Sequence, residues 1–192
     1  MLQRPTGVVE PLPLLILRTG HTPVHQGEPG RGLFVVESGL LRAVAVSPDG
    51  HQLVLDLLGP GDLVGEPDDG RAACTVVALR PTRLRPLANA DAAALLAARA
   101  RRAAALACDL AWRDVSTRIE HRLVDLATRH GVAAPGGTGI PIVLTQEDVA
   151  GLAGTSRESA NRAIRSLLAR ERLRRYRRGR YVVCPPLRLV RR

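Results

Sequence analysis

Residues 144–168, LTQEDVAGLAGTSRESANRAIRSLL, determine the fold of the C-terminal part of the chain because they predict two helices joined by a tight turn. Thr145 is placed to accept the free amides at the start of a first, short helix, and Ser156 is placed to cap a second one. Between them, Gly154 supplies the backbone freedom that a sharp reversal requires. The stretch therefore predicts a helix-turn-helix.

The second predicted helix has an apolar and a polar face. Its apolar face comprises Ala160, Ala163, Ile164, Leu167 and Leu168, and its polar face Arg157, Glu158, Asn161, Arg162 and Arg165. An arginine can donate two parallel hydrogen bonds to guanine and a glutamate can accept one from cytosine, so the polar face suits the major groove of DNA. The alternative is an amphipathic surface helix whose charges face water.

The segment that follows favours DNA. Residues 173–184, LRRYRRGRYVVC, predict two short strands around a basic, glycine-containing turn, as in a wing that contacts backbone phosphates. Residues 145–192 contain 13 Arg against four acidic residues, whereas the rest of the chain contains 15 against 14. A basic patch restricted to one segment is typical of a polyanion-binding protein. We therefore predict a winged helix-turn-helix with double-stranded DNA as its partner.

The composition excludes several classes of enzyme. All 28 basic residues are arginine, and the lack of lysine excludes a Walker A loop, Schiff-base chemistry and a Ser/Lys pair. Cys74, Cys108 and Cys184 are far apart, and we expect them to be reduced and buried. His21 and His25 are a candidate metal pair, but we predict no metal site, no catalytic residue and no enzyme activity.

The apolar run at residues 12–17 is short and contains Pro13, so we predict neither a signal peptide nor a membrane span. The protein is expected to be soluble and cytoplasmic, without a membrane partner.

Residues 14–87 show short apolar or alternating runs separated by Gly, Pro and Asp turns. The runs are 14–17, 33–36, 40–46, 53–57, 74–79 and 83–87. Residues 47–50, SPDG, predict a hairpin turn, and residues 27–30 and 59–62 predict two more. This pattern predicts an all-β sandwich or roll.

A long helix is predicted next, because the chain is rich in Ala and Leu and free of Pro and Gly as far as about Trp112. Asn89 or Asp91 is expected to cap it. Near-heptad spacing predicts a seam with a second copy of the chain, formed by Leu96, Ala103, Leu106 and Leu110. The alternative is that this face packs on the chain's own β domain.

Asp114 is expected to cap a further helix that ends near His130 and exposes Arg118 and Arg122. Residues 112–114 would then be a hinge between the two helices. Residues 131–139 predict a flexible connector, and residues 140–144 predict a short strand that leads into the helix-turn-helix.

Four features resemble the Crp/Fnr family of bacterial transcription regulators when taken as an ordered set. They are GPGDLVGE at residues 59–66, the long helix, DVSTRI at 114–119 and GTSRESANR at 154–162. The resemblance spans nearly the whole chain and implies an α+β fold. It implies an N-terminal cyclic-nucleotide-binding-like jelly roll, called the β-roll below (residues 1–88), a dimerisation helix with hinge (89–113) and a winged helix-turn-helix domain (114–192).

The same resemblance implies roles for individual residues. Arg157, Glu158 and Arg162 match the base-contacting positions of members that recognise TGTGA-like half-sites. Two guanine-binding arginines and one cytosine acceptor suit that sequence. Phosphate contacts are expected from Thr145, Ser156, Ser159, Arg165, Arg178 and Arg180.

The region that holds the nucleotide in cyclic-AMP-binding members departs from their pattern. The degenerate effector pocket comprises Gly65, Glu66, Arg71, Ala72, Ala103 and Ala104. The segment after Glu66 is short and acidic at positions 68 and 69, and Ala72 replaces a serine. Ala103 and Ala104 replace an adenine-contacting Thr-Ser pair. We therefore expect no cofactor and no tight binding of cyclic AMP, and interpret Glu66 and Arg71 as ion-pair or loop contacts.

Together these features predict a homodimeric, sequence-specific transcription regulator that recognises a TGTGA-like palindrome independently of cyclic AMP. The alternative is an effector-gated regulator that needs a cyclic nucleotide or another small ligand in the β-roll. RNA polymerase is a further candidate partner, through the turn at 47–50 or the loop at 131–139.

Overall fold

The computed structural model describes residues 13–67, 70–177 and 179–185. Asp68, Asp69 and Arg178 therefore lie outside the described residues. The N-terminal strands are β1 (Leu15–Leu17), β2 (Gly32–Ser38), β3 (Leu41–Val46), β4 (Gln52–Leu58), β5 (Leu63–Glu66), β6 (Thr75–Ala78) and β7 (Thr82–Leu87). They form two antiparallel sheets, with strand orders β1-β7-β2-β5 and β4-β3-β6. The predicted β-roll is confirmed.

Alternating side chains of the two sheets form the core of the β-roll. Leu41 and Leu84 are fully buried in it, and Val36 and Val64 nearly so. The turn predicted at residues 47–50 joins β3 and β4 as a hairpin. Strand β5 was absent from the prediction because only two apolar residues precede Gly65, too few for a periodic pattern.

Helix α1 (Ala93–Trp112) follows a 3₁₀ turn at Asn89–Asp91. The predicted capping by Asn89 or Asp91 is wrong, because Ala92 occupies the N-cap position and makes no side-chain cap hydrogen bond. Ala92 is fully buried against Leu33 and Leu63, so packing determines where the helix begins.

Helix α2 (Val115–His130) is capped as predicted by Asp114, whose carboxylate accepts a hydrogen bond from the Thr117 amide at 3.0 Å. Arg113 has an extended backbone and separates α1 from α2. The predicted exposure of Arg122 is wrong. Its side chain is buried, and Nη2 donates to the carbonyl oxygens of Val54 (3.3 Å) and Leu55 (2.9 Å).

Replacing Asp114 with alanine is expected to lower the free energy of unfolding by about 0.5–2 kcal/mol, since an N-cap is lost. Hydrogen bonds from the Thr117 hydroxyl and amide lower the pKa of Asp114. The stabilisation by the cap is therefore complete above the unfolded-state pKa of about 3.9, and is lost as pH falls through the lower folded-state pKa. Urea denaturation of the wild type and the Asp114→Ala variant, at pH 7 and in acid, measures the loss of stability and its pH dependence. If the difference in the free energy of unfolding were the same at both pH values, the charged cap would not be its cause.

The C-terminal sheet has the order β10-β11-β9-β8, with β8 (Val132–Ala134), β9 (Gly137–Gly139), β10 (Leu173–Arg177) and β11 (Arg180–Val183). The predicted flexible connector at 131–139 is wrong, because β8 and β9 form a hairpin that pairs with β11. The predicted strand at 140–144 is also wrong. The Ile140 amide donates to the Tyr181 carbonyl, but Pro141 has no amide hydrogen to continue a ladder.

Helices α3 (Gln146–Ala153) and α4 (Arg157–Ala169) complete the fold and share one core with α2. Across residues 13–67, 70–177 and 179–185, the structure contains no helix with the length and hydropathy of a bilayer span.

A buried carboxylate joins the β-roll to the two helices that follow it. Asp56 of β4 accepts a hydrogen bond from Arg102 Nε of α1 at 2.6 Å, and another from Arg129 Nη2 of α2. Asp62 lies 3.3 Å from Arg102 and 3.4 Å from Arg129. Burial acts to lower the pKa of Arg129, but the charges of Asp56 and Asp125 and the hydrogen bonds to them together raise that pKa. We call Asp56, Asp62, Arg102 and Arg129 the junction cluster.

Candidate nucleic-acid interface

The ends of α3 and α4 are held by the residues that the sequence predicts. Thr145 accepts a hydrogen bond from the Asp148 amide (3.1 Å), and the Asp148 carboxylate accepts one from the Thr145 amide (2.8 Å). Gly154 is left-handed with φ 57°, and a Cβ there would lie 3.0 Å from a Leu110 methyl. Ser156 accepts from an amide of the first turn of α4. Local hydrogen bonds therefore fix the angle between the two helices.

Helix α4 separates its apolar and polar side chains sharply. The buried side chains are Ala160, Ala163, Ile164 and Leu167. The exposed charged side chains are Arg157, Glu158, Arg162 and Arg165. The structure thus brings the three predicted base-contacting residues together at the solvent-facing N-terminal part of α4.

These side chains are weakly held in the free protein. Arg162 Nη1 lies 3.1 Å from Glu158 Oε1, and the two side chains are 69% and 80% exposed. Such exposed pairs contribute little to stability, so both partners are available for a ligand. Arg157 Nε and Asn161 Nδ2 both donate to Gln146 Oε1, at 3.3 and 2.7 Å. Gln146 is a positioning residue that sequence reasoning missed, because its partners lie 11 and 15 residues away.

The predicted phosphate-binding residues occupy two different environments. Thr145 and Ser156 lie at the N-terminal ends of α3 and α4, where free amides attract anions. Ser159 lies half-buried beside Ser156, with 3.1 Å between their hydroxyl oxygens, and Arg165 is exposed. Arg180, by contrast, is half-buried and lines a cavity between the helix-turn-helix and the β-roll.

The predicted effector pocket is only partly assembled. A cavity of about 270 Å³ lies between the β-roll and α1, and Gly65, Glu66 and Ala103 line it. Three other predicted pocket residues, Arg71, Ala72 and Ala104, do not line it. Arg71 Nη1 instead donates to the Gly27 carbonyl oxygen at 2.8 Å, which is a loop contact of the kind expected.

Two arginines of α1 line this cavity, and neither was predicted to do so. Arg99 forms an ion pair with Glu66 and donates to the Gly65 carbonyl oxygen at 3.0 Å. Arg102 is held by Asp56 of the junction cluster. The interruption of an apolar heptad pattern by Arg99 was the one signal that could have identified its role.

Helix α1 turns the predicted seam largely toward its own chain. Leu106 is buried, Leu96 packs half-buried on the cluster of Leu33 and Leu63, and Leu110 lies half-buried beside Gly154. Ala103 is exposed at the cavity. A different side of α1 is open to solvent, formed by Ala97, Ala100, Arg101, Ala104, Cys108, Ala111 and Trp112.

Two of the three cysteines are buried as expected, and the prediction is wrong for Cys108, which is exposed on α1. Burial raises the pKa of the Cys74 thiol.

Comparison with known proteins identifies both halves of the chain. The sequence profile of the cyclic nucleotide-binding domain matches residues 14–99, and that of the Crp-like helix-turn-helix domain matches residues 117–192. The CRP-like cAMP-activated global transcriptional regulator of Mycobacterium tuberculosis is 33% identical over 162 residues, which cover 76% of this chain and 72% of that protein. The cyclic AMP receptor protein of Thermus thermophilus is 31% identical over 160 residues, with coverages of 74% and 71%.

Solved structures share the fold. A CRP/FNR-family transcriptional regulator from Thermus thermophilus superimposes with a TM-score of 0.77 at 23% identity, covering 89% of this chain and 93% of that one. FixK2 from Bradyrhizobium japonicum superimposes with a TM-score of 0.75 at 18% identity, with coverages of 89% and 91%. The chain therefore belongs to the Crp/Fnr family of bacterial transcription regulators, and its partner is DNA, bound through a helix-turn-helix domain.

Proposed function

We propose that the protein is a homodimeric, sequence-specific regulator that binds a TGTGA-like palindrome through Arg157, Glu158 and Arg162. The observation that carries this proposal is the placement of all three on the exposed polar face of a helix whose opposite face is buried. Guanidinium groups that bind guanine and a carboxylate that binds cytosine suit that half-site. Thr145, Ser156, Ser159 and Arg165 would contact the adjacent phosphates and set the register.

The second copy is proposed to pack on the open side of α1. That side presents small apolar residues, Arg101 and Trp112. Trp112 is 81% exposed, and burial of so large a side chain against a partner is favourable. Two copies related by a twofold axis would place their α4 helices in successive major grooves, about 34 Å apart. The proposed divisions are residues 1–88, 89–113 and 114–192. We further propose a cytoplasmic location, with RNA polymerase as a second macromolecular partner.

We also propose that the protein binds DNA independently of cyclic AMP. Arg99 is already engaged by Glu66, and Ala103 offers no hydroxyl group to a base. Ala72 is buried, does not line this cavity and has no hydroxyl group. A cyclic phosphate would therefore have to displace an existing ion pair.

An effector-gated regulator is the second candidate, favoured by the cavity of about 270 Å³ that α1 closes against the β-roll. The Mycobacterium tuberculosis relative is itself described as cAMP-activated. Titration calorimetry of the full chain with cyclic AMP and cyclic GMP separates the candidates. Binding in the micromolar range would overturn the proposed independence.

The DNA proposal predicts the sequence that the protein selects from random DNA. With the full chain and no added nucleotide, we expect a palindrome whose half-site centres are one helical turn apart. Enrichment of a single, asymmetric site would contradict the homodimer.

Replacing Arg162 with alanine is expected to weaken binding to that palindrome by roughly 5- to 150-fold, which corresponds to about 1–3 kcal/mol for a lost bidentate base contact. Binding to random DNA should change much less. Arg165→Ala is the matched control on the same helix, since loss of a phosphate contact should weaken both interactions alike. Fluorescence-anisotropy titrations with the two DNAs measure this, and an equal loss for Arg162→Ala on both would refute the base contact.

A further inference from the structure

A second cavity, distinct from the one beside α1, lies where the helix-turn-helix meets the β-roll. Its volume is about 290 Å³. Strand β4 separates the two cavities, since Leu53 and Leu55 line the cavity at α1 whereas Val54 and Leu57 line this one. We call the second one the junction cavity.

Positive charge exceeds negative charge in its walls. Arg42, Arg80 and Arg180 line it with a single carboxylate, Asp148. Arg42 Nη1 lies 2.6 Å from one oxygen of Asp148, and the other oxygen accepts hydrogen bonds from Thr145. Both oxygens of the Asp148 carboxylate are therefore already engaged, and this one negative charge is paired with Arg42.

The other two arginines lack a counter-ion in the described part of the chain. Arg80 donates to the carbonyl oxygen of Pro141. Arg180 is half-buried and makes no ion pair with any described carboxylate. Arg42 adds an enclosed Nε that has no acceptor among the described residues. The exposed Arg80 and the half-buried Arg180 can turn their guanidinium donors toward the cavity, and an anion with several acceptor oxygens could accept from both. An acceptor beside the enclosed Arg42 Nε would also satisfy a buried donor.

The rest of the wall is apolar, and includes Leu57, Leu79, Ile142 and Val143. A carboxylate fits the planar guanidinium fork with two parallel hydrogen bonds, and an apolar body would fill the remaining volume. We propose that the junction cavity binds a small organic anion, a carboxylate on a compact apolar body, held by Arg80 and Arg180.

Such a ligand would touch both domains at once. Asp148 and Leu152 belong to α3, the first helix of the helix-turn-helix, whereas Arg42 and Arg80 belong to the β-roll. An occupant would therefore fix the orientation of the helix-turn-helix on the β-roll and change its affinity for DNA. This consequence rests on the proposed DNA-binding function, whereas the binding of the anion does not.

Titration calorimetry of the full chain with benzoate, without DNA, tests the site. We expect saturable binding of benzoate and none of benzamide, its neutral analogue of similar shape. A parallel titration uses inorganic phosphate, an anion without an apolar body. If phosphate binds as tightly as benzoate, the choice of a carboxylate with an apolar body is overturned. Equal binding of benzoate and benzamide would overturn the anion site itself.

Substitutions of the cavity walls test whether benzoate binds in the junction cavity. Arg80→Gln and Arg180→Gln are each expected to weaken benzoate at least tenfold, and Arg83→Gln, on the outer surface of the β-roll, should leave it unchanged. Val143→Trp, at an exposed position of the wall, should block binding without removing a charge. If Arg180→Gln bound benzoate normally and only lost affinity for random DNA, Arg180 would be a phosphate contact and the proposal would fall.

The regulatory consequence needs a separate measurement. Saturating benzoate should change the affinity for the selected palindrome at least threefold, with benzamide as the control. If the protein binds both benzoate and the palindrome but benzoate does not change the affinity for DNA, the coupling is refuted. The anion site itself is tested by the calorimetry alone.

Discussion

Replacing Asp56 with alanine is expected to lower the free energy of unfolding by about 1.5–3 kcal/mol, because Arg102 and Arg129 lose their hydrogen bonds to a buried carboxylate. Asp62 stays within 3.3 and 3.4 Å of the two arginines and keeps part of the compensation. Arg102 and Arg129 side chains are 23% and 19% exposed, so water can replace the lost partner only in part. Arg122 lies near the same carboxylate. Its burial lowers its pKa, and the charge of Asp56 opposes that effect. Urea denaturation of the full chain at neutral pH measures the loss.

Two control variants test whether the loss of stability comes from the buried charge of Asp56. Asp56→Asn keeps the shape of the side chain but not its charge, and should retain most of the destabilisation. Glu37→Ala removes two longer ion pairs at the surface of the β-roll, with Arg83 and Arg85, and should lower stability by less than about 1 kcal/mol. If Asp56→Ala lost no more than Glu37→Ala, the junction cluster would be a solvated surface network.

Leu167→Ala is expected to lower the free energy of unfolding of the C-terminal domain by about 2–5 kcal/mol, since it leaves a cavity in a packed core. Leu167 is fully buried in the core that α4 shares with α2 and α3. The same helix carries Arg157 and Arg162 on its other face, so loosening it should also weaken binding to the selected palindrome. Denaturation followed by circular dichroism measures the first effect, and anisotropy the second.

The neighbouring residue supplies the control. Leu168 has the same side chain and is only partly buried, so Leu168→Ala should destabilise clearly less. A loss for Leu167→Ala no greater than that for Leu168→Ala would mean that α4 is not anchored through this contact.

The helix-turn-helix could be predicted because its signals are local. The capping box of Thr145 and Asp148, the left-handed Gly154 and the cap at Ser156 depend on residues within a few positions of each other. The polar face of α4 is equally local, because helical geometry alone places Arg157 and Arg162 on one side. The family assignment followed from the order of such motifs.

The errors arose where a distant segment supplies the partner. The amphipathic pattern of α2 predicted an exposed Arg122. Its hydrogen-bond acceptors, however, are carbonyl oxygens of β4, which lie 67 and 68 residues away in the sequence. Residues 131–139 looked flexible because they are rich in glycine, yet β9 pairs with β11, more than forty positions later. Neither the β4 carbonyl oxygens nor strand β11 can be inferred from the residues of the segment that contacts them.

Local capping signals and helical periodicity thus determined the winged helix-turn-helix and the polar face of α4, and alternating apolar runs between turns determined the β-roll. Only the tertiary structure decided which side of α1 is covered, that Glu66 pairs with Arg99, and that Asp56 joins the β-roll to α1 and α2. The physical reason is that caps and amphipathic faces depend on neighbours along the chain, whereas burial and ion pairing depend on segments that only the folded chain brings together.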